Sequence, residues 1–422
     1  MESILDNQQQ DRWYLGYSVV AGFLLVSIYY ALDVIFALEE QSAFLITFAF
    51  YAVLFDVRHF FPTYARTLFD KQFMKENKSW FLLSWFLILA LPLVAFIILS
   101  QGEFYSYNSF IVLSFILRLT YVFGFYHLIK QNWGFMAIYK KKHNEPEDGS
   151  DRWEKLLLLS GSFIPFVYLS KVAPVWFGGD NYAFTPGPNE LQYAIDLWMK
   201  IGNVCFIFGI FFLLVGFVFK SAPQFKYVSK NIGIFLAFVF ILIRWILNSG
   251  ADKALNGILI LLALIFIVSL VLVVKRTIDK KIKNPEKWMV LISTLVLYNG
   301  ILILPIENKI ILAMAITIPH NIQYLAFTKV FSKRFYLNSK NDHGFAAVLA
   351  QKTLVFFSIS VIYALLFETS RTGIKFIPST SESFDYYRNM FSLFFIGMVL
   401  HHYYLDAVIW RVRKDKELSD QV

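Results

Sequence analysis

The stretch GILILLALIFIVSLVLVVKR, residues 257–276, runs for 18 residues without a charged side chain and then ends on Lys275 and Arg276. A helix of about 20 apolar residues is long enough to cross the hydrocarbon core of a bilayer. Similar runs recur along the 422 residues, of which 57% are hydrophobic and only 16% are charged. Soluble domains are about 25% charged, so the chain is predicted to be an all-α, polytopic integral membrane protein.

Twelve membrane-spanning helices are predicted from these runs. They cover residues 13–38, 43–65, 80–100, 106–130, 153–176, 191–219, 232–249, 254–274, 288–306, 309–332, 345–367 and 386–410. No long Ser-, Pro- or Gly-rich linker separates them. The sequence therefore predicts a cytoplasmic N-terminal tail (residues 1–12), one transmembrane domain (13–410) and a basic cytoplasmic C-terminal tail (411–422).

The charge of the connecting segments predicts the orientation of the chain. Segments after even-numbered spans are rich in Lys and Arg, as at residues 140–142 and 333–334, whereas the others contain few. Basic loops stay on the cytoplasmic side, so both termini are predicted there, with a bacterial cytoplasmic (inner) membrane as the expected location. These loops account for the net charge of +9 without a nucleic-acid partner. The single cysteine, Cys205, excludes a disulfide within the chain.

Five histidines lie within predicted spans 2, 4, 10 and 12 at a similar depth. They are His59, His127, His320, His401 and His402, roughly seven to thirteen residues before the cytoplasmic boundary. At 1.5 Å of rise per residue, this depth is on the order of 10–20 Å. Ionisable groups within a bilayer are costly and usually mark a functional site. The five imidazoles are therefore predicted to be metal ligands, with His401 as an alternative or addition to His402.

Each of these helices also has a hydrogen-bonding side chain three or four residues from its histidine, on the same helix face. These neighbours are Asp56, Gln131, Gln323 and Asp406. Metal-bound histidines normally donate their second ring N–H to such acceptors. Gln131 and Gln323 are predicted to orient imidazoles, and Asp56 and Asp406 to be catalytic groups, as ligands or as acceptors. Imidazoles combined with carboxylates favour non-haem iron, with zinc as the alternative, as one or two ions.

Three arginines are predicted to contact an anionic substrate or a lipid headgroup, because guanidinium groups pair well with phosphate. Arg58 and Arg66 lie close to His59 near the cytoplasmic boundary, and Arg118 lies in the middle of span 4. Two further histidines, His143 and His343, lie in basic loops and are predicted to be solvated.

These features favour a membrane-embedded metalloenzyme that opens toward the cytoplasmic leaflet and acts on a lipid or another hydrophobic small molecule. The expected reaction is an oxidation (hydroxylation, desaturation or oxidative cleavage) with an electron donor as partner. Metal-assisted hydrolysis by zinc would use the same residues. Two other interpretations remain open: a proton-coupled transporter with a His/Asp relay, and a haem protein with two axial histidines.

Overall fold

The computed structural model describes residues 3–99, 105–146, 148–149, 151–172, 188–218, 251–339, 341–376 and 382–410, with shorter stretches between 229 and 244. All regular structure within these residues is helical, which confirms the predicted all-α class. The α-helices are α1 (Gln8–Gln10), α2 (Val19–Tyr30), α3 (Glu40–Tyr51), α4 (Val57–Thr67), α5 (Lys71–Leu99), α6 (Tyr105–Lys142), α7 (Asp151–Val172), α8 (Pro188–Val218), α9 (Ala251–Asp279), α10 (Pro285–Ile301), α11 (Lys309–Asn338), α12 (Phe345–Gln351), α13 (Thr353–Phe376) and α14 (Glu382–Ile409).

Several of these helices are long and apolar enough to span a membrane. Six pass on length and composition among the described residues: Glu40–Thr67, Lys71–Ile98, Lys253–Asp279, Lys309–Asn338, Thr353–Arg371 and Tyr387–Ile409. The bent pair Gln8–Gly16 and Val19–Ile35 makes a seventh if it is one span. Each predicted segment overlaps helical structure where it is described, but α10 ends at Ile301 and has only 17 residues. The number twelve therefore stays a prediction.

The surface of α9 agrees with a lipid environment. Ile260, Leu261, Leu264, Ile267 and Val271 are each more than half exposed, with no protein covering them. Contiguous apolar patches of this kind are rare on soluble monomers. This helix contains the apolar run at residues 257–276.

Three π-helical turns interrupt the first part of the chain, at Asp11–Gly16, Ala31–Ile35 and Ala52–Asp56. A π-turn inserts one extra residue into a helix and is frequently found at functional sites. The third turn joins α3 to α4 without a loop. It therefore sets the rotation of the residues that precede His59.

The described part of the predicted N-terminal tail is folded onto the helical body. The buried Asp11 carboxylate accepts hydrogen bonds from the backbone N–H groups of Ile4 (2.7 Å) and Leu5 (2.8 Å) and from the Tyr139 hydroxyl (2.6 Å). Arg334 donates to the carbonyl oxygens of the same two residues. Residues 3–12 thus pack against α6 and α11, whereas the C-terminal tail, residues 411–422, lies outside the described residues.

A buried group of charges, here called the charge clasp, joins the ends of four helices. It consists of Lys140, Glu145, Glu154, Arg276 and Lys287. The Lys287 ammonium lies 2.9 Å from both the Glu145 and the Glu154 carboxylates, and Lys140 and Arg276 also contact Glu154. Burial alone would raise the pKa of the Glu145 carboxyl, but the hydrogen bond and charge of Lys287 hold that pKa below its ordinary value.

Candidate metal centre

Four helices bring four of the five predicted histidine ligands together. His59 lies on α4, His127 on α6, His320 on α11 and His402 on α14. Their ring centroids form a closed cycle: His59–His320 5.3 Å, His320–His127 5.0 Å, His127–His402 5.5 Å and His402–His59 4.9 Å. These four side chains are called the histidine layer below.

These separations are close to those of imidazoles that share one metal ion. An imidazole nitrogen lies about 2.1 Å from zinc, so its ring centroid lies roughly 3.2 Å from the metal. Two such centroids are about 4.5–5.2 Å apart when the angle at the metal is about 90–109°. The measured cycle of 4.9–5.5 Å is slightly wider than this range. A small inward movement of the side chains is enough for them to meet a common ion.

A hydrogen bond fixes the Nδ1 atom of two of these rings. His402 Nδ1 lies 2.8 Å from Thr63 Oγ1, and the Thr63 hydroxyl itself donates to Asp406 Oδ1 at 2.7 Å. Thr63 must therefore accept from His402, which assigns the Nδ1–H tautomer to His402. His59 Nδ1 similarly donates to the backbone carbonyl of Asp56. In both rings Nε2 is left as the lone-pair acceptor.

The Asp406 carboxylate is held with its two oxygens in different environments. Oδ1 accepts from the hydroxyls of Thr63 and Tyr324, both at 2.7 Å, and the Trp410 indole N–H donates to the Tyr324 oxygen at 3.0 Å. Oδ2 lies 3.6 Å from His127 Nε2 and 3.6 Å from His402 Nε2. One oxygen is thus satisfied by protein donors, whereas the other faces two imidazole nitrogens.

The atoms at the centre of this cluster lack protein partners. Among the described residues, Asp406 Oδ2, His402 Nε2, His127 Nε2 and both ring nitrogens of His320 are buried without a hydrogen-bond partner. A buried polar atom left in this state costs about 1–3 kcal/mol. Potential ligand atoms of His127, His402 and Asp406 lie within 4.8 Å of one another. Since Asp406 Oδ2 and His402 Nε2 are both acceptors, they need a cation or a donor that the described side chains do not supply: a metal ion, an added proton or a water molecule.

The same helices build a polar layer on each side of the histidines. Four residues after each histidine come Thr63, Gln131, Tyr324 and Asp406, about 6 Å further along the helix axes. Thr63, Tyr324 and Asp406, here called the inner layer, contact one another directly. Three residues before the histidines, about 4.5 Å away in the opposite direction, come Asp56, Gly124 and Thr317.

The Asp56 side chain does not join the histidines, contrary to the sequence prediction. Its carboxylate accepts from the Tyr51 hydroxyl (2.9 Å), which also lies 2.5 Å from the Thr317 hydroxyl. The backbone carbonyl of Asp56, rather than its carboxylate, receives the His59 N–H. The π-turn Ala52–Asp56 inserts one residue between Tyr51 and Asp56, and across it the Asp56 carboxylate meets the Tyr51 hydroxyl.

The two glutamines do not orient imidazoles as predicted. Gln131 donates to the carbonyl of His320 (3.2 Å) and to the Gln323 side chain (3.1 Å), and Gln323 donates to the Leu15 carbonyl (3.1 Å). Both amides therefore tie helices together through backbone acceptors. They fix the position of α11 beside α6 and the N-terminal segment.

His401 lies apart from the histidine layer. Its Nε2 contacts the Ser84 hydroxyl at 3.3 Å, and its ring packs near Phe81 and Tyr64. Consecutive residues on a helix point about 100° apart because a turn contains 3.6 residues. With His402 directed at Asp406, His401 therefore faces α5.

The arginines and the loop histidines also find partners within the protein. Arg58 donates to Ser360 (3.0 Å) and lies over the Phe357 ring, whereas Arg66 lies over Phe331 and Trp410, each at 4.5 Å. The side chain of Arg118 lies outside the described residues. The predicted solvation of His343 is wrong, because this side chain is buried, 2.9 Å from Asp70 and 2.8 Å from Ser339. His143 lies 3.1 Å from Glu286.

Sequence reasoning missed Thr63, Tyr324 and Trp410. Thr63 and Tyr324 follow His59 and His320 by four residues, and Trp410 follows Asp406 by four. The same spacing singled out Gln131 and Asp406, so a search for hydroxyl groups at that position would have found two of the three. Comparison of the chain with protein-family models, with curated proteins and with solved structures finds no match.

Proposed function

We propose that this chain is a polytopic membrane metalloenzyme whose metal ion is held by His59, His127, His320, His402 and Asp406. One observation carries the proposal: the Nε2 atoms of His127 and His402 each lie 3.6 Å from Asp406 Oδ2 in a buried site, and none of the three atoms has a hydrogen-bond partner among the described residues. Unpartnered polar atoms around one point are unfavourable in a protein interior. A bound cation converts them into ligands.

The donor set favours iron, with zinc as the second choice. Tetrahedral zinc sites take four ligands, and catalytic zinc usually takes three from the protein. Here four imidazoles and one carboxylate are available, which suits a six-coordinate ion with one position left for a ligand. Imidazole and carboxylate donors together are typical of non-haem iron. The spacing of the cycle, with each ring next to two others, fits one ion better than two.

The position of the cluster indicates an apolar substrate. Its four helices include two of the candidate membrane spans, Lys309–Asn338 and Tyr387–Ile409, and α4 completes a third. A lipid or another hydrophobic small molecule can reach such a site from the bilayer. Oxidation of a C–H or C=C bond by dioxygen, with electrons from a separate donor, is the reaction class we assign to iron. Hydrolysis with a metal-activated water is the corresponding class for zinc.

Two alternative functions, a haem protein and a proton-coupled transporter, would use the same residues differently. A haem between two axial histidines would need the space that the other two imidazoles occupy, because neighbouring centroids are only 4.9–5.5 Å apart. A proton-coupled transporter remains the stronger rival. A proton shared between Asp406 and an imidazole would satisfy two acceptors without a metal.

Elemental analysis of the detergent-purified full chain, with an absorption spectrum of the same sample, tests the proposal. We expect about one iron or zinc per chain, lost in His127→Ala and His320→Ala. His401→Ala is the matched control, because this buried histidine faces Ser84 and its loss should leave the metal content unchanged. Protein that holds no metal, even after reconstitution, would contradict the proposal, and pH-dependent substrate flux would then support the transporter.

A further inference from the structure

The two polar layers that flank the histidines differ in accessibility. In the inner layer Thr63, Tyr324 and Asp406 are all buried. On the opposite side Asp56, Thr317 and Tyr403 are partly exposed. Together with the buried Tyr51, these three side chains are called the outer layer. Access to the histidine layer is therefore easier through the outer layer.

The inner side is closed by more than the inner layer itself. Trp410 lies directly beyond Tyr324 and donates to its hydroxyl. The Trp410 ring packs against Phe327 (5.1 Å) and Phe331 (5.2 Å), and the Arg66 guanidinium lies over Phe331 and Trp410. This stack covers the inner layer beside Trp410.

At the level of the outer layer α6 carries a glycine, and the space beside it is taken by the Tyr403 hydroxyl. A Cβ on Gly124 would lie 2.9 Å from the Tyr403 hydroxyl. The absence of a side chain there allows Tyr403 to stack on His127, with centroids 4.6 Å apart and rings inclined by 27°. Tyr51, Asp56 and Thr317 supply a connected set of hydroxyl and carboxylate groups on the adjoining helices.

Resting on the proposed metal centre, we infer that its open coordination position faces the outer layer, opposite Asp406. A substrate then enters from the bilayer interior, and its reacting part meets the Tyr51, Asp56, Thr317 and Tyr403 side chains. These groups suit an apolar molecule with one hydroxyl or amino group near the reacting carbon. Asp56 accepts a hydrogen bond from such a group, as it does from Tyr51 in this structure.

Azide binding to the cobalt(II)-loaded, detergent-solubilised full chain tests this inference without knowledge of the substrate. Azide is a small anion that binds an open metal position and changes the visible spectrum of cobalt(II). Thr317→Leu places extra carbon atoms in the outer layer, and we expect it to weaken azide binding at least tenfold with cobalt still bound. Thr317→Ser is the matched control and should behave as the native chain does.

A substitution in the inner layer should change cobalt binding but not azide binding. Thr63→Val should lower the affinity for cobalt but leave the affinity of the remaining loaded protein for azide within about threefold of the native value. Unchanged azide binding in Thr317→Leu, or strongly changed azide binding in Thr63→Val, would overturn the inference while leaving the metal centre intact. A native chain that binds no cobalt would overturn the proposed function as well. The two failures are therefore distinguishable.

Discussion

The charge clasp and the histidine layer are both buried polar clusters, but they are satisfied in opposite ways. In the clasp, Lys287 lies 2.9 Å from two carboxylates, and Lys140 and Arg276 add further positive charge around Glu154. Every cation there meets an anion. In the histidine layer, acceptor atoms 3.6 Å apart face one another without a donor among the described residues.

This difference is the reason for treating the first cluster as structural and proposing a metal site for the second. Buried charges need partners, and the clasp provides them from within the chain. It thereby fixes the ends of α6, α7, α9 and α10 relative to one another. The histidine layer is organised just as closely, by Thr63 and Tyr324, yet its central atoms remain unmatched. A bound cation would match these atoms, as the proposed metal centre requires.

The largest expected effect is on the stability of the clasp. Lys287→Met removes the cation between Glu145 and Glu154, so the two buried carboxylates lose the positive charge that they share. Breaking a buried ion pair from one side typically costs about 3–5 kcal/mol, so the free energy of unfolding should fall by about that amount. Metal content per folded chain should not change. A variant as stable as the native protein would show that the clasp does not hold the four helix ends together.

The next largest effect is expected at Asp406. Asp406→Asn keeps the size of the side chain but removes its charge, and we expect metal affinity to fall on the order of 100-fold or more, since loss of a supporting partner alone costs 10–100-fold. The metal-free variant should be at least as stable as the metal-free native chain, because a buried carboxylate facing acceptors has been neutralised. Metal titration measures the affinity, and chemical denaturation measures the stability of the metal-free proteins. Equal metal affinity in both proteins would rule out Asp406 as a ligand.

A smaller effect is expected when the hydroxyl of Thr63 is removed. Thr63→Val preserves shape but removes both the acceptor for His402 and a donor to Asp406, so metal affinity should fall about 10–100-fold. Thr63→Ser keeps the hydroxyl and should restore most of the affinity. If the serine and valine variants bind metal equally well, the hydroxyl does not position the ligands.

The smallest effect concerns pH. Lys287 holds the pKa of Glu145 below its ordinary value against the opposing effect of burial. A lowered carboxyl pKa contributes stability that is fully present above the unfolded-state pKa, about 4.3, and is lost as pH falls through the folded-state pKa. Unfolding curves between pH 7 and pH 3 should therefore show a loss of stability below about pH 4 that is reduced in Glu145→Gln. The same dependence in both proteins would exclude Glu145 as its source.

Periodicity predicted the helices and much of the site. Asp406 was found because it follows His402 by one turn, and the shared depth of His59, His127 and His320 came from the positions of the basic loops. Thr63 and Tyr324 were missed because single hydroxyl groups are common in apolar helices and carry no charge that marks them. Their role depends on contacts between α4, α11 and α14, which no local pattern contains.

The failures each have a specific cause. The spacing of Asp56 and His59 predicted one shared face, but the π-turn Ala52–Asp56 turned the carboxylate toward Tyr51. The pair His401–His402 could not be resolved by sequence, since only the packing of α14 decides which ring faces Asp406. The clasp was missed because its partners are far apart in the chain. Glu154 contacts Lys140, but it also contacts Arg276 and Lys287, which lie on two later helices.

X-ray absorption spectroscopy of the purified full chain would decide whether the histidine layer holds a metal, because the fluorescence identifies the metal and the fine structure identifies its ligands. We expect iron, or zinc as the alternative, in a shell of nitrogen and oxygen with the outer scattering of about four imidazoles. Absence of any metal edge, or a metal whose spectrum lacks imidazole scattering, would contradict the proposed metal centre.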